Sequence, residues 1–535
     1  ADHSVVRMVY QTSTIPRQKP TPTFASEIVH DPEGRALLQQ ARQNVLRRMQ
    51  ALGATPGEIQ DALTETWMEA SKEYKQKHAG ITRKQIAAAT RKLQELEKQH
   101  ARATDTSIKH GYAQQVARAK EALFDTMAAR QDANTRRRHR QELIEEWETS
   151  QQVHQKIAIR CKASPVNTAQ GTRMVNGRSE PWVATTNEDI HKVFREYWAL
   201  IFQMEHDVQA AEEAGREVLR RIHARMTDRL TSSEQNSITM DAVLTPDNIK
   251  AAIKRVKDHT TPGRDGVPIE PYRAAIEEGK DGDDLVEHLL NLYREIQKNG
   301  VMTPNMQESI TTMVYKNKGA STDPANYRPI AVTAIEYRIL ATAMAQRLAE
   351  ILHRLIGGSQ IGFQILRDIG ENIDLMEEVL RYSNGEARVR GGAVAILDNA
   401  HAFDMVSWDF MWKALEAFHI PPCFIDMLRA MTNGIRTRLK INGTMGPVIE
   451  QRSGVRQGCP LSSLIYLMVM EVVLTMIRDD EEVRGIGIPN NEGDDSDGKR
   501  ETVCERSLAD DLAVFMGDID VSIPALKRIL DKFRT

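Results

Sequence analysis

Leu508-Ala509-Asp510-Asp511-Leu512-Ala513-Val514-Phe515 places two adjacent carboxylates inside an apolar run. A buried carboxylate needs a cation or several hydrogen bonds to offset its lost hydration. A tight β-hairpin turn solves this by presenting both acids at its tip, where a divalent metal would stabilise them. Other Asp pairs occur at 283–284, 479–480 and 494–495, all in polar surroundings. The pair at 510–511 differs by its apolar flanks.

Asp398 adds weight to that reading. It closes Ala393-Val394-Ala395-Ile396-Leu397, a short apolar run expected to be a buried strand. Phe403 and Asp404 follow closely. If the two strands are neighbours, three carboxylates converge. That is a ligand set for two Mg2+ ions, with Mn2+ as the alternative, between an attacking hydroxyl and a nucleotide triphosphate. The rest of 391–535 alternates strand and helix. Trp408 to His419 reads as a helix stopped by Pro421-Pro422. Thr437 to Ile441 alternates and meets Asn442-Gly443, a hairpin signal. Leu461 to Ile477 is apolar but interrupted by Ser462, Ser463 and Glu471, and is shorter than the roughly 20 residues a bilayer needs. It is expected to be a buried helix, and no membrane partner is expected. Asp479 to Glu501 is acidic and Gly-rich, as in an insertion.

Upstream, 231–390 mixes helices with extended segments. Thr261-Pro262-Gly263-Arg264-Asp265-Gly266-Val267-Pro268 is a dense turn signal. A helix is expected from Asp283 to Lys298, a strand from Ile310 to Tyr315, and an amphipathic helix from Ala334 to Leu355. Residues 32–230 are polar and helix-rich, with apolar positions spaced three and four apart. Arg130, Arg136, Arg137, Arg138 and Arg140 cluster there, either on a solvated helix face or against a phosphate backbone. Residues 1–31, with Pro16, Pro20 and Pro22, read as a linker.

Composition sets the outer limits. The 535 residues carry 71 basic and 74 acidic side chains, a net charge of -3, which excludes a uniformly basic coat but not local basic patches. The 41% apolar fraction suits a globular chain of about three or four domains. Four scattered cysteines argue against a disulfide scaffold and a cysteine-rich zinc module, so a reduced, intracellular protein is expected, in nucleus or cytoplasm, or in an organelle if recruited to another assembly.

Several blocks together resemble the reverse transcriptases of non-LTR (LINE-type) retrotransposons. Gly454-Val455-Arg456-Gln457-Gly458-Cys459-Pro460-Leu461-Ser462 is similar to their Arg-Gln-Gly-Cys-Pro-Leu-Ser block. Leu397 to Asp404 resembles the first catalytic motif, and Leu508-Ala509-Asp510-Asp511 the second. Thr261–Pro268, Asn326-Tyr327-Arg328-Pro329-Ile330 and Gln360-Ile361-Gly362-Phe363 precede them in the family's order. The ordered match spans about 240–517.

The resemblance implies an α+β, right-hand polymerase fold: fingers over 231–390 and palm over 391–535, after a helical region over 32–230. It implies nucleotidyl transfer onto a primer 3′-hydroxyl, with RNA template, DNA primer and dNTP as partners. Asp398, Asp510 and Asp511 would be catalytic and hold the metal ions. Phe403 would fill the space of a ribose 2′-hydroxyl. Arg328 would grip the triphosphate, helped by Lys316 or Lys318, and Gln457 and Gly458 would line the nucleotide pocket. Arg456 would touch template or nucleotide, with a surface ion pair as the alternative, and Arg136, Arg137, Arg138 and Arg140 would meet nucleic acid. Cys459 would be a packed small residue.

Leu508 departs from the family's aromatic, and Asn399 and His401 from its acid and Lys. The opening Ala1-Asp2-His3-Ser4 resembles the end of the family's endonuclease, and the thumb that follows the palm is expected to be missing after Thr535. These departures leave a second expectation: a polymerase-derived, non-catalytic RNA-binding subunit of a larger ribonucleoprotein assembly.

Overall fold

The computed structural model describes residues 24–102, seven positions within 111–119, 166–175, 178–204, 208–364, 367–385, 392–489 and 500–534. The Arg136 to Arg140 cluster and the opening tetrapeptide lie outside the described residues. Two compact units divide the chain. One holds Pro165–Val256 and Leu289–Thr535, the other Pro22–Ser164 and Lys257–His288. The division cuts across the stretches read from composition. Residues 257–288 fold with the N-terminal helices, and 166–230 fold with the C-terminal half.

In the N-terminal unit, a helix over Pro32–Ala51 starts at Asp31, whose side chain accepts from the Gly34 N–H. A longer helix follows over Pro56–Arg102. Arg42, 1% exposed, pairs with Glu278 at 2.9 Å and Asp284 at 3.0 Å. The guanidinium is enclosed while Glu278 and Asp284 are 20% and 35% exposed, so solvent screens part of the attraction. Trp67 meets Tyr272 edge-on at 5.0 Å, and Gln60 Nε2 donates to the Tyr272 hydroxyl. These contacts bind the segment carrying the Thr261–Pro268 turn to the helices.

Among the described residues, the C-terminal unit holds four small sheets. A hairpin, β1 (Ala169–Val175) and β2 (Arg178–Ala184), stands in a stretch expected to be mostly helical. Strands β3 (Glu308–Tyr315) and β4 (Tyr327–Val332) pair antiparallel. Strand β5 spans Ala393–Leu397. Strand β6 (Arg436–Ile441) joins β3 in parallel and turns through Asn442 (φ 51°) and Gly443 (φ 78°) into β7 (Thr444–Glu450). Positive φ at both turn residues is what an Asn-Gly hairpin supplies. The helix over Asn187–Phe202 covers this sheet. Thr186 caps it, and Ile190, Val193, Phe194, Trp198 and Ile201 pack beside Tyr327, Leu439 and Ile449.

Strands β8 (Ile486–Pro489) and β9 (Arg500–Val503) form a hairpin whose connecting residues lie outside the described ones. The last sheet is β10 (Glu505–Leu508), β11 (Asp511–Met516) and β5, in the order β10-β11-β5. One face buries Leu512, Val514 and Met516 against the helices Pro460–Asp479 and Ile519–Arg534. The other buries Phe515 with Val379 and Ile486. Enclosing Phe515 completely contributes about 2–3 kcal/mol.

The Pro460–Asp479 helix is long and apolar enough to cross a membrane by composition. However, 83% of its most apolar window is buried inside the protein. Strand β5 departs from expectation: it is an edge strand, and Ile396 is 77% exposed. Its inner residues Ala393, Ala395 and Leu397 face the helices. Among the described residues, the helices expected at 283–298, 334–355, 408–419 and 461–477, β3, the hairpins at 442–443 and 509–510, and the mixed α+β architecture stand where the sequence places them.

Candidate active site

The hairpin β10–β11 turns at Ala509-Asp510, with Leu508 paired to Asp511. Asp510 and Asp511 therefore sit at its tip. Leu512 pairs with Leu397 across to β5, so the next rung sets Asp398 opposite Asp511. Opposed residues of antiparallel strands point to the same face with Cα atoms about 4.5–5.5 Å apart. The electrostatics agree. Burial first, then the charges of Asp511 and Asp398, push the Asp510 carboxyl above its ordinary value, while Arg328 pulls it down. Burial, followed by Asp510 and Asp398, also holds the Tyr466 hydroxyl well above its usual range. Asp398, Asp510, Asp511, Arg328 and Tyr466 thus share one locality.

The oxygen donors of the three aspartates are spread wider than a closed metal cage. Among the described residues, the group of three whose ligand atoms all lie within 4.8 Å is Asp31, Glu33 and His78, in the other unit. The donor chemistry of the aspartates still fits a hard divalent ion. It is all carboxylate oxygen, Asp398 and Asp511 are exposed, and its mutual repulsion is what a cation would relieve.

The surrounding loops are stitched together by backbone bonds. The Val455 N–H donates to the Phe403 carbonyl at 2.7 Å, and the Gly454 N–H to the Val406 carbonyl at 2.8 Å. The Ala331 N–H donates to the Gln457 carbonyl at 2.8 Å, joining the loop to β4 three residues from Arg328. Glycine is required twice. A Cβ on Gly454 (φ 80°) would lie 2.4 Å from the Asp404 carbonyl oxygen, and one on Gly458 (φ 104°) 2.8 Å from the Ala331 carbonyl oxygen.

Phe403 stacks on Tyr466 with ring centroids 4.4 Å apart and an interplanar angle of 18°. Gln457 Nε2 donates to Asp404 Oδ2 at 2.8 Å. Asp404 is 4% exposed, and burial pushes its carboxyl up to about 8 against the Gln457 bond and the Lys316 charge. His401 Nε2 is 2.8 Å from the Tyr197 hydroxyl, which ties this loop to the Asn187–Phe202 helix.

Arg328 is exposed, and among the described residues its guanidinium has no hydrogen-bond partner. Lys316 Nζ donates to the Ala325 carbonyl at 2.9 Å, while Lys318 is exposed. Cys459 is buried, as expected of a packed small residue, and receives the Tyr337 hydroxyl bond at 3.6 Å.

Arg456 is a correction. It is 5% exposed, donates to the Met306 and Gln307 carbonyls, and lies over the Tyr337 ring at 5.0 Å. So enclosed, its side chain is spent on protein partners and not on a surface ion pair. It anchors the loop from behind. Asp404 and Gln360 belong to the site's framework without having been singled out from sequence. Burial of a charged or amide side chain inside a motif was the missing signal.

Residues 315–535 match the family described as reverse transcriptase (RNA-dependent DNA polymerase). The Transposon TX1 uncharacterized 149 kDa protein of Xenopus laevis is 27% identical over 248 residues, 46% of this chain and 18% of that protein. The Retrovirus-related Pol polyprotein from type-1 retrotransposable element R2 of Nasonia vitripennis is 27% identical over 221 residues, 41% of this chain and 20% of its own. The counterpart from type-2 retrotransposable element R2DM of Drosophila melanogaster is 27% identical over 239 residues, 45% and 21%. The chain spans about a fifth of the length of these curated relatives.

The match to the reverse transcriptase family thus falls on the stretch that holds Asp398, Asp510 and Asp511. The relatives aligned with the chain are named as proteins of a transposon and of R2 retrotransposable elements.

Proposed function

We propose that this chain is an RNA-directed DNA polymerase that extends a DNA primer 3′-hydroxyl with dNTPs by a two-metal mechanism. The observation that carries the reading is the register that sets Asp398 opposite Asp511, with Asp510 in the adjoining turn and electrostatically coupled to Asp398 and Arg328. Asp398, Asp510 and Asp511 would hold two Mg2+ ions, or Mn2+ in their place. Bound there, the ions would lower the pKa of the primer hydroxyl and neutralise charge on the leaving pyrophosphate.

The chain's own residues account for binding and alignment. Arg328 offers an always-charged guanidinium to the triphosphate. The ring of Phe403, fixed on Tyr466, occupies volume beside the nucleotide sugar. Gln457 is held by Asp404 and by the Ala331 amide, so its backbone and that of Gly458 form a rigid wall. Prealignment of this kind supplies much of the rate in phosphoryl transfer. We place the protein inside the cell, in nucleus or cytoplasm.

The test is extension of an annealed DNA primer on an RNA template with Mg2+ and dNTPs, read by product length and sequence. Template-complementary products support the polymerase. RNA binding without extension supports the non-catalytic, assembly-bound alternative.

A further inference from the structure

We infer that Gln360 is a positioning residue that holds the Ala509-Asp510 turn, and with it the direction of the aspartates. The inference rests on the polymerase reading above. Gln360 is fully buried. Its Oε1 accepts from the Ala509 N–H at 2.9 Å and the Gly362 N–H at 2.9 Å. Its Nε2 donates to Ser507 Oγ at 2.8 Å and the Ala509 carbonyl at 3.1 Å. Both donors and both acceptor positions of the carboxamide are thus in use.

The clamped residue is the one under strain. Ala509 has φ 58°, a left-handed conformation that a residue with a Cβ rarely holds without support. Its N–H is taken by one side chain from a distant segment, and its C=O by that same side chain together with Ser507 Oγ. If they were released, Ala509 would relax toward negative φ. Asp510, the next residue, would turn with it.

The support extends behind the clamp. Gln360 and Ser507 form a parallel β-bridge. The Ile361 N–H donates to the Ser507 carbonyl at 3.0 Å, and the Ser507 N–H to the Ser359 carbonyl at 2.9 Å. Ser359 Oγ donates to Glu505 at 2.6 Å, and Arg478 Nη1 reaches both, at 2.9 and 3.1 Å. A Cβ on Gly362 would stand 2.5 Å from the Ala509 nitrogen, so the two backbones touch with no room for a side chain. Every member of this frame is backbone or a polar side chain with a fixed partner, buried in all cases except the half-buried Arg478. Gln360 itself touches neither aspartate carboxylate. It acts through the backbone ahead of them.

The test compares wild type with Gln360→Met, which keeps the length and removes the bonds. Gln360→Glu, which keeps Oε1 and removes the donor, serves as second variant should the first fail to fold. Leu348→Ala, in the fully buried part of the Ile335–Leu355 helix, controls for general destabilisation. Amide exchange of a peptide covering 505–512 is read on the protein without nucleic acid, and single-nucleotide incorporation on an RNA-templated primer gives kcat and KM. The expected result is faster exchange confined to that peptide. The expected kinetic effect is a kcat lower by about 100-fold with KM for dNTP nearly unchanged, as for reacting groups misplaced by about 1 Å. Unchanged exchange, or kinetics that follow Leu348→Ala, would overturn the inference. Should wild type extend no primer, the polymerase reading fails by itself, and the exchange result still decides whether Gln360 holds the turn.

Discussion

Asp404→Asn should make the C-terminal unit more stable at pH 8 and leave it unchanged at pH 4. The wild-type carboxyl is raised to about 8 by burial, against about 3.9 in an unfolded chain. Below pH 4 both states hold the proton, and Asp404 imposes no penalty. As pH rises the unfolded chain releases the proton while the folded one keeps it, so stability falls by up to about 1.4 kcal/mol per pH unit. The loss levels off above pH 8, having reached on the order of 5 kcal/mol. Asparagine has no proton to release. Its carbonyl oxygen still accepts from Gln457 Nε2, the bond that Asp404 Oδ2 accepts at 2.8 Å. The assay is urea unfolding followed by amide exchange of peptides covering 400–410, at pH 4, 6 and 8. Two-state analysis of so long a chain would mix its units. A gain that grows with pH is the expected outcome. A difference independent of pH, or an Asn variant weaker at pH 8, would refute the assignment of a protonated, buried Asp404.

Two further variants separate roles around the loop. Arg456→Met should lower thermal stability, because the Met306 and Gln307 carbonyls lose their donor at about 1–3 kcal/mol, with RNA affinity unchanged in a filter-binding or anisotropy titration. Phe403→Val removes the ring stacked on Tyr466 and should raise ribonucleotide incorporation relative to dNTP by tenfold or so, a change in the kcat/KM ratio worth about 1.4 kcal/mol.

The acidic hairpin tip was legible because an Asp pair inside an apolar run has few other places to go, and β10–β11 turns there. The Asn442-Gly443 hairpin was legible for the same local reason, a turn that demands positive φ. What the sequence concealed was set by distant partners. Ala393 to Leu397 is uniformly apolar and reads as buried, yet β5 lies at a sheet edge, and nothing local announces that Ile396 is left uncovered. Arg456 stands beside Gln457 and looks like a ligand contact. Its true partners, Tyr337 and the carbonyls of Met306 and Gln307, come from other elements. The β1–β2 hairpin was missed in a polar stretch, although the dipeptide Asn176-Gly177 between its strands is a turn signal. Gln360 was placed within a motif, but its work is visible only once Ala509 lies against it.

The central claim is that Asp398, Asp510 and Asp511 form one centre for nucleotidyl transfer. Single-turnover incorporation of one dNTP on an RNA-templated primer, by wild type and by Asp510→Asn/Asp511→Asn, tests it most directly. The account predicts incorporation by wild type and a rate lower by about a thousandfold in the double variant, with RNA–primer binding retained. A double variant that incorporates at the wild-type rate would contradict it.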